Sequence, residues 1–183
     1  MLIFTSKFIC MKIITCLFLF VSFTIFAQSK NGISRDEARI NGRLKLSIPY
    51  TEFIERYKAA DSTDTALPGE TCSKDPDVKL LYYKGITFEW DKDTLNFMSI
   101  DFSKRKRMFL SITDDWFDNT TSLKYFTKAY PEESAFTEDY IDYDGVEYSR
   151  IIFLPKDLAE NYEWWFLFIK DKLHSIEYHI LCE

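Results

Sequence analysis

The chain has 183 residues, of which 46% are hydrophobic, and its net charge is −6. This hydrophobic content excludes an intrinsically disordered chain and is enough for a packed core. The acidic balance argues against nucleic acid as a partner, because a negative surface repels phosphate backbones. Aromatic residues make up 17% of the chain, which favours a sheet-rich fold.

The N-terminus has the pattern of an export signal. Residues 13–26 carry no charge, follow Lys12 and end at Ala27, a small residue suited to cleavage by signal peptidase. This run is shorter than the roughly 20 residues of a spanning helix. We therefore predict a signal peptide at residues 1–27, with a retained anchor as the alternative. The mature protein would be periplasmic or secreted, and would meet the membrane only through the signal peptide before cleavage.

An N-terminal segment at residues 28–43 precedes the first predicted α/β repeat, residues 44–113. Its helix is indicated by apolar residues at helical spacing, Tyr50, Phe53, Ile54 and Tyr57. Residues 78–90 then alternate in polarity around a turn at Lys84 and Gly85, which predicts a β-hairpin. A further strand follows in the stretch KDTLNFMSIDF, residues 92–102.

The second predicted repeat, residues 114–183, echoes the first. Its helix begins near Thr120 and ends at Pro131, a hairpin turn lies at Asp144 and Gly145, and KDKLHSIEYHI at residues 170–180 resembles the earlier stretch. Phe53 matches Phe126, and Ile100 matches Ile176, at nearly the same spacing along the chain. A steady spacing across helix and strand indicates a duplication. The predicted fold class is α+β, with two tandem repeats that each contain a helix followed by about three antiparallel strands.

After removal of the signal peptide two cysteines remain, Cys72 and Cys182. An isolated pair in an oxidising compartment predicts a disulfide. Two buried free thiols are the alternative.

This arrangement resembles the tandem α/β repeats of the beta-lactamase inhibitory protein family and of the SmpA/OmlA-like outer-membrane assembly lipoproteins. It is also similar to uncharacterised exported bacterial proteins with a Y-x-E-F helix start, here Tyr50, Glu52 and Phe53, and a cysteine near the C-terminus, here Cys182. The resemblance implies binding to another protein and no catalysis.

No motif for chemistry is evident in the sequence. His174 and His179 have no partners at metal-ligand spacing, no Ser or Cys lies in a nucleophile context, and there is no phosphate-binding loop. We therefore expect no enzyme activity, no cofactor and no metal site. A small hydrolase built on a pair of carboxylates is the alternative.

The second repeat is apolar where the first is polar. Trp165, Leu167 and Ile169 lie on the strand face opposite the helix, where the first repeat has Thr87, Glu89 and Asp91. We predict a partner-binding patch made of Trp165, Leu167, Ile169, Tyr148, Ile151 and Phe153. The alternative is that this face packs inside the protein. An exposed aromatic patch predicts an exported protein-binding module, inhibitor-like or immunity-like, for an unknown protein partner. A cell-envelope assembly or structural factor is the second hypothesis.

Overall fold

A computed structural model describes residues 32–155 and 161–182. These residues fall within one compact unit, Asn31–Glu183. The predicted signal peptide, residues 1–27, lies outside the described residues. In the part of the chain that is described, no helix has the length and apolar character needed to cross a membrane.

Strands dominate the secondary structure. Helix α1 is Tyr50–Tyr57, helix α2 is Leu123–Ala129, and a 3₁₀ helix spans Glu133–Phe136. The strands are β1 (Arg39–Ile40), β2 (Leu44–Lys45), β3 (Ser47–Pro49), β4 (Ser62–Thr65), β5 (Lys79–Tyr83), β6 (Ile86–Asp91), β7 (Thr94–Asp101), β8 (Phe109–Ser111), β9 (Trp116–Asp118), β10 (Glu138–Ile141), β11 (Glu147–Phe153), β12 (Tyr162–Ile169) and β13 (Lys172–Ile180).

The large sheet has the strand order β10-β11-β12-β13-β7-β6-β5-β4, and β3 also pairs with β7. A small second sheet has the order β2-β1-β8-β9. The pairings are antiparallel, and the mixture of helices with antiparallel sheet confirms the α+β class. The predicted boundary between residues 113 and 114 lies in the turn between β8 and β9, inside the small sheet.

Strands β7 and β13 meet at the centre of the large sheet. Three residue pairs join them: Asp101 with Ser175, Ile100 with Ile176, and Ser99 with Glu177. We call these pairs the seam. Helix α1 and strands β4–β7 lie on one side of the seam, and they come earlier in the chain than helix α2 and strands β10–β13, which lie on the other side. The seam therefore makes one continuous sheet from two halves of the chain.

Tight turns fix the register of the hairpins. Lys84 and Gly85 both have positive φ, 53° and 83°, as a two-residue turn between antiparallel strands requires. A Cβ on Gly85 would lie 2.9 Å from the backbone oxygen of Asp101, so both the conformation and the space demand glycine. Lys170 and Asp171 also have positive φ, at the turn from β12 to β13.

The two helices pack on one face of the large sheet through aromatic rings. Phe53 of α1 meets Tyr83 and Phe88 edge-on, with ring centroids 5.1 and 5.9 Å away. Phe126 of α2 is fully buried among the rings of Phe117, Tyr130, Phe153, Phe166 and Phe168. Edge-to-face rings combine a large buried apolar area with favourable quadrupole contacts. We call this covered side the helix face and the opposite side the open face.

Cys72 and Cys182 form a disulfide, as predicted, with Cα atoms 5.4 Å apart. The bridge connects the loop before β5 to the residues after β13, across 110 positions of sequence. In the chain-entropy account a loop of this length restricts the unfolded state by about 4 to 5 kcal/mol. It also holds the segment around Cys72 at the open face.

Candidate functional site

A ladder of charged and aromatic side chains crosses the open face from β10 to β13. Arg150 donates two hydrogen bonds to one carboxylate oxygen of Glu138, at 3.0 and 2.7 Å. Its guanidinium lies 4.0 Å from the ring centroid of Trp165. His179 stacks on the same indole with ring centroids 3.7 Å apart, and its Nε2 lies 2.9 Å from Glu177 Oε2. The order of the ladder is therefore Glu138, Arg150, Trp165, His179, Glu177.

Trp165 is held in place by this ladder. Arg150 and His179 stack against its ring, and the indole N–H donates a 3.0 Å hydrogen bond to Glu163. Cation–π contacts of this kind contribute about 0.5 to 2 kcal/mol. The half-buried indole is the centre of an ordered array, so it does not form the bare apolar platform that the sequence suggested.

The predicted patch residues do not all share one surface. Tyr148, Trp165 and Ile169 are half-buried on strand positions that face the open side, and Leu167 has the same orientation but is only 2% exposed. Ile151 and Phe153 are fully buried on the helix face. Placing these two in the patch was wrong, because side chains alternate along a strand and their positions face the opposite side from Tyr148.

Two depressions lie side by side on the open face and share Thr87, Ser99 and Glu177 in their walls. Their volumes are about 350 and about 570 Å³. We call them together the groove. Carboxylates predominate among its charged residues: Asp61, Asp64, Glu70, Glu89, Asp101 and Glu177. Lys104 also lines the groove, 3.8 Å from Asp101. The groove is thus suited to a positively charged group.

Burial and neighbouring carboxylates shift two pKa values at the open face. Burial, the hydrogen bond to Asp142 and the negative charges of Asp142, Glu177 and Asp101 raise the pKa of Tyr148 to about 12. Burial first, and then the charge of Asp91, raise the pKa of Glu89 above its ordinary value. Both pKa values are raised because burial and nearby carboxylates make the ionised forms of Tyr148 and Glu89 less stable than their neutral forms.

The disulfide forms part of the wall of the smaller depression. Gly69, Glu70, Thr71 and Cys72 line the smaller depression, together with Cys182. The Thr71 side chain hydrogen-bonds to Glu89, which is 7% exposed. The bridge therefore fixes a short loop over the carboxylate of Glu89.

In residues 32–155 and 161–182, no three His, Cys, Asp or Glu side chains converge to hold a metal ion. His174 packs edge-on against Tyr148, with ring centroids 5.6 Å apart, and its buried Nδ1 makes no hydrogen bond there. His179 is engaged with Trp165 and Glu177, as described above.

Sequence reasoning missed the partners of Trp165. Glu177 and His179 are two positions apart on one strand, so a shared face was foreseeable. Their position beside Trp165 depends on the register of β12 against β13, which pairs Trp165 with Glu177. No local pattern specifies that register.

Comparison with known proteins gave no relatives. Neither a protein-family model, nor a curated protein, nor a solved structure matches the chain significantly.

Replacing Trp165 with Ser tests the ladder. We expect the free energy of unfolding to fall by about 2 kcal/mol, because the cation–π and cross-strand contacts of a half-buried ring are lost. Urea unfolding followed by circular dichroism measures this. The matched control is Trp116→Ser, at a ring that is 65% exposed, where a change within about 0.5 kcal/mol is expected. Equal losses at the two sites would contradict the ladder.

Replacing Glu89 with Gln tests the buried carboxyl. Because the pKa of Glu89 is raised in the folded protein, the folded state binds more protons than the unfolded state at a pH between the unfolded and the folded pKa. The free energy of unfolding of the wild type is therefore fully retained below the unfolded pKa of Glu89, about 4.3. It falls as pH rises through the folded pKa, because the buried carboxyl must then carry a charge. We expect the variant to gain stability relative to the wild type between pH 4 and pH 7. Parallel urea titrations at pH 4, 5.5 and 7 measure the difference, and a constant difference would refute the assignment.

Proposed function

We propose that this protein is an exported protein-binding module, inhibitor-like or immunity-like, that engages its partner through the open face. The observation that supports this most is the combination of the groove with the ladder beside it. The ladder orders its long side chains before any partner arrives. Preorganised aromatic and Arg side chains lose little entropy on binding, which is why such residues concentrate binding energy at protein interfaces.

Export is part of the proposal. The disulfide is compatible with an oxidising compartment outside the cytoplasm. The uncharged run at residues 13–26 supports the same location. The protein would reach the periplasm or the exterior after cleavage following Ala27.

The two halves of the sheet are, in this proposal, tandem copies of one α/β unit. Ile100 and Ile176, matched by sequence, pair with each other at the seam. The pairing register also shifts at a corresponding place in each half, between Thr87 and Phe88 in one and between Leu167 and Phe168 in the other. This register aligns Leu167 with Thr87, two residues away from the alignment suggested by the sequence. A duplicated unit would present two related surfaces at one continuous face.

Capture from an envelope extract tests the proposed function. The bait is the full chain with a C-terminal tag, and the variants are Glu177→Lys and Thr87→Tyr, which change the charge and the volume of the groove. We expect both to reduce the amount of bound partner at least about tenfold, because like charge and steric overlap both oppose docking. Quantitative mass spectrometry of the eluates measures this.

The control is Glu55→Lys, at an exposed position of α1 on the other side of the sheet. It makes the same charge change away from the groove and is expected to leave capture unchanged. Equal capture by Glu177→Lys, Thr87→Tyr and Glu55→Lys would contradict the proposal that the partner binds the open face. If the proteins that the groove variants fail to capture are outer-membrane components, the result would support an envelope assembly factor instead.

A further inference from the structure

The hairpin formed by β10 and β11 exposes more apolar surface than an ordinary turn. Phe136, just before β10, is 84% exposed and Ile141, at its end, is 61% exposed. Tyr143 at the tip is fully exposed, and Val146 is exposed beside it. Single exposed apolar residues need no explanation, but four within eleven consecutive positions are characteristic of an interaction surface.

This hairpin is held rigid. One carboxylate oxygen of Asp142 accepts hydrogen bonds from the backbone N–H groups of Asp144 and Val146, both at 2.9 Å, and the other accepts one from the Tyr148 hydroxyl at 3.0 Å. These bonds, with that of Val146 first, hold the pKa of Asp142 below its ordinary value. At the base, Tyr140 packs edge-on against Trp165 at 5.6 Å. The exposed apolar side chains are therefore displayed on an ordered frame.

The outer edge of β10 offers backbone groups for pairing. Asp142 N–H bonds inward to the Val146 carbonyl at 3.1 Å. Because inward and outward groups alternate along an antiparallel strand, Tyr140 also faces β11, while the N–H groups of Asp139 and Ile141 point away from the sheet. Within residues 32–155 and 161–182, no strand pairs with that outer edge. An unpaired edge is a template for another strand.

The charge of the β10–β11 hairpin indicates which kind of strand could pair with its outer edge. Residues 129–149 include seven Asp or Glu and no Lys or Arg, and Arg150, which follows on β11, is already paired with Glu138. On β10 each side of the strand presents one carboxylate and one apolar or aromatic side chain: Glu138 with Tyr140, and Asp139 with Ile141. A second copy of this chain would bring the same carboxylates against one another, which disfavours self-pairing. A strand with two consecutive Lys or Arg residues followed by two consecutive apolar residues complements both features, because each of its sides then presents one cation and one apolar side chain.

We infer that the edge of β10 docks an extended basic segment of a partner protein, which adds to the large sheet as a further strand next to the exposed side chains of the hairpin. This inference deepens the proposed function and rests on it. It names the chemistry of the partner and a contact separate from the groove.

The test uses a synthetic peptide as the probe. It is an eight-residue peptide that repeats Lys-Lys-Val-Val, with blocked ends, and its affinity for the full chain is measured by calorimetry at low and at high salt. Two matched peptides accompany it: one N-methylated at alternate residues on one edge, and one with Glu in place of Lys. We expect N-methylation to weaken binding at least about tenfold, because it removes the backbone donors of strand pairing. We expect no binding of the Glu peptide, and weaker binding of the Lys peptide at high salt.

Two substitutions at Asp139 separate charge from backbone pairing. Asp139→Asn removes the carboxylate alone, whereas Asp139→Pro also removes an outward N–H without removing a bond to β11. We expect Asn to weaken peptide binding modestly and Pro to weaken it at least about tenfold more. The melting temperatures of both variants show whether each is folded. If the Pro variant does not fold, the N-methylated peptide gives the same comparison on the wild-type protein.

Several outcomes would overturn the inference: no binding of the Lys peptide, equal binding of its N-methylated form, or equal binding by a folded Asp139→Pro and Asp139→Asn. Failure of the proposed function has a different signature. If Glu177→Lys abolishes capture of the envelope partner while Asp139→Pro leaves it intact, the proposed protein-binding function is kept and the contact at the edge of β10 is rejected. If neither variant changes capture, both proposals are rejected.

Discussion

The seam between β7 and β13 is the constraint on which the rest of the molecule depends. Ile100 and Ile176, which pair there, are fully buried on the helix face of the sheet. Ser99 and Glu177, the next pair, point the other way and form part of the groove. The three residue pairs thus run through the single hydrophobic core on one side, and both depressions span them on the other. Without the seam, neither the continuous core nor the groove would exist.

The two faces of the sheet follow different physical rules. On the helix face, rings such as Phe126 and Phe166 exclude water and make contacts whose strength comes from buried area. On the open face, a residue such as Trp165 is stabilised by charged neighbours with hydrogen-bonded partners of their own. A face of that second kind tolerates water, so it can remain uncovered.

Much of the fold was predictable because its determinants are local. The turn at Lys84 and Gly85, the helical stripe around Phe53 and the pairing of Cys72 with Cys182 all came from short patterns or from simple counting. The candidate site was less predictable. The alternation along β11 already placed Ile151 on the helix side, so including it in the patch was avoidable. The burial of Leu167 and the stacking of Arg150 on Trp165 depend on register between distant strands, which no short pattern encodes.

The most direct test of this account is a nuclear Overhauser measurement at the seam. Phe102 N–H bonds to the His174 carbonyl at 2.9 Å, so by alternation Asp101 with Ser175, and Ser99 with Glu177, are non-hydrogen-bonded pairs. Their Cα atoms should lie about 4.5 Å apart, with the Hα protons closer still. We expect strong Hα to Hα contacts for both pairs in the full chain. Absence of these contacts, with those inside β6–β7 and β12–β13 intact, would show two separate sheets and contradict the continuous open face.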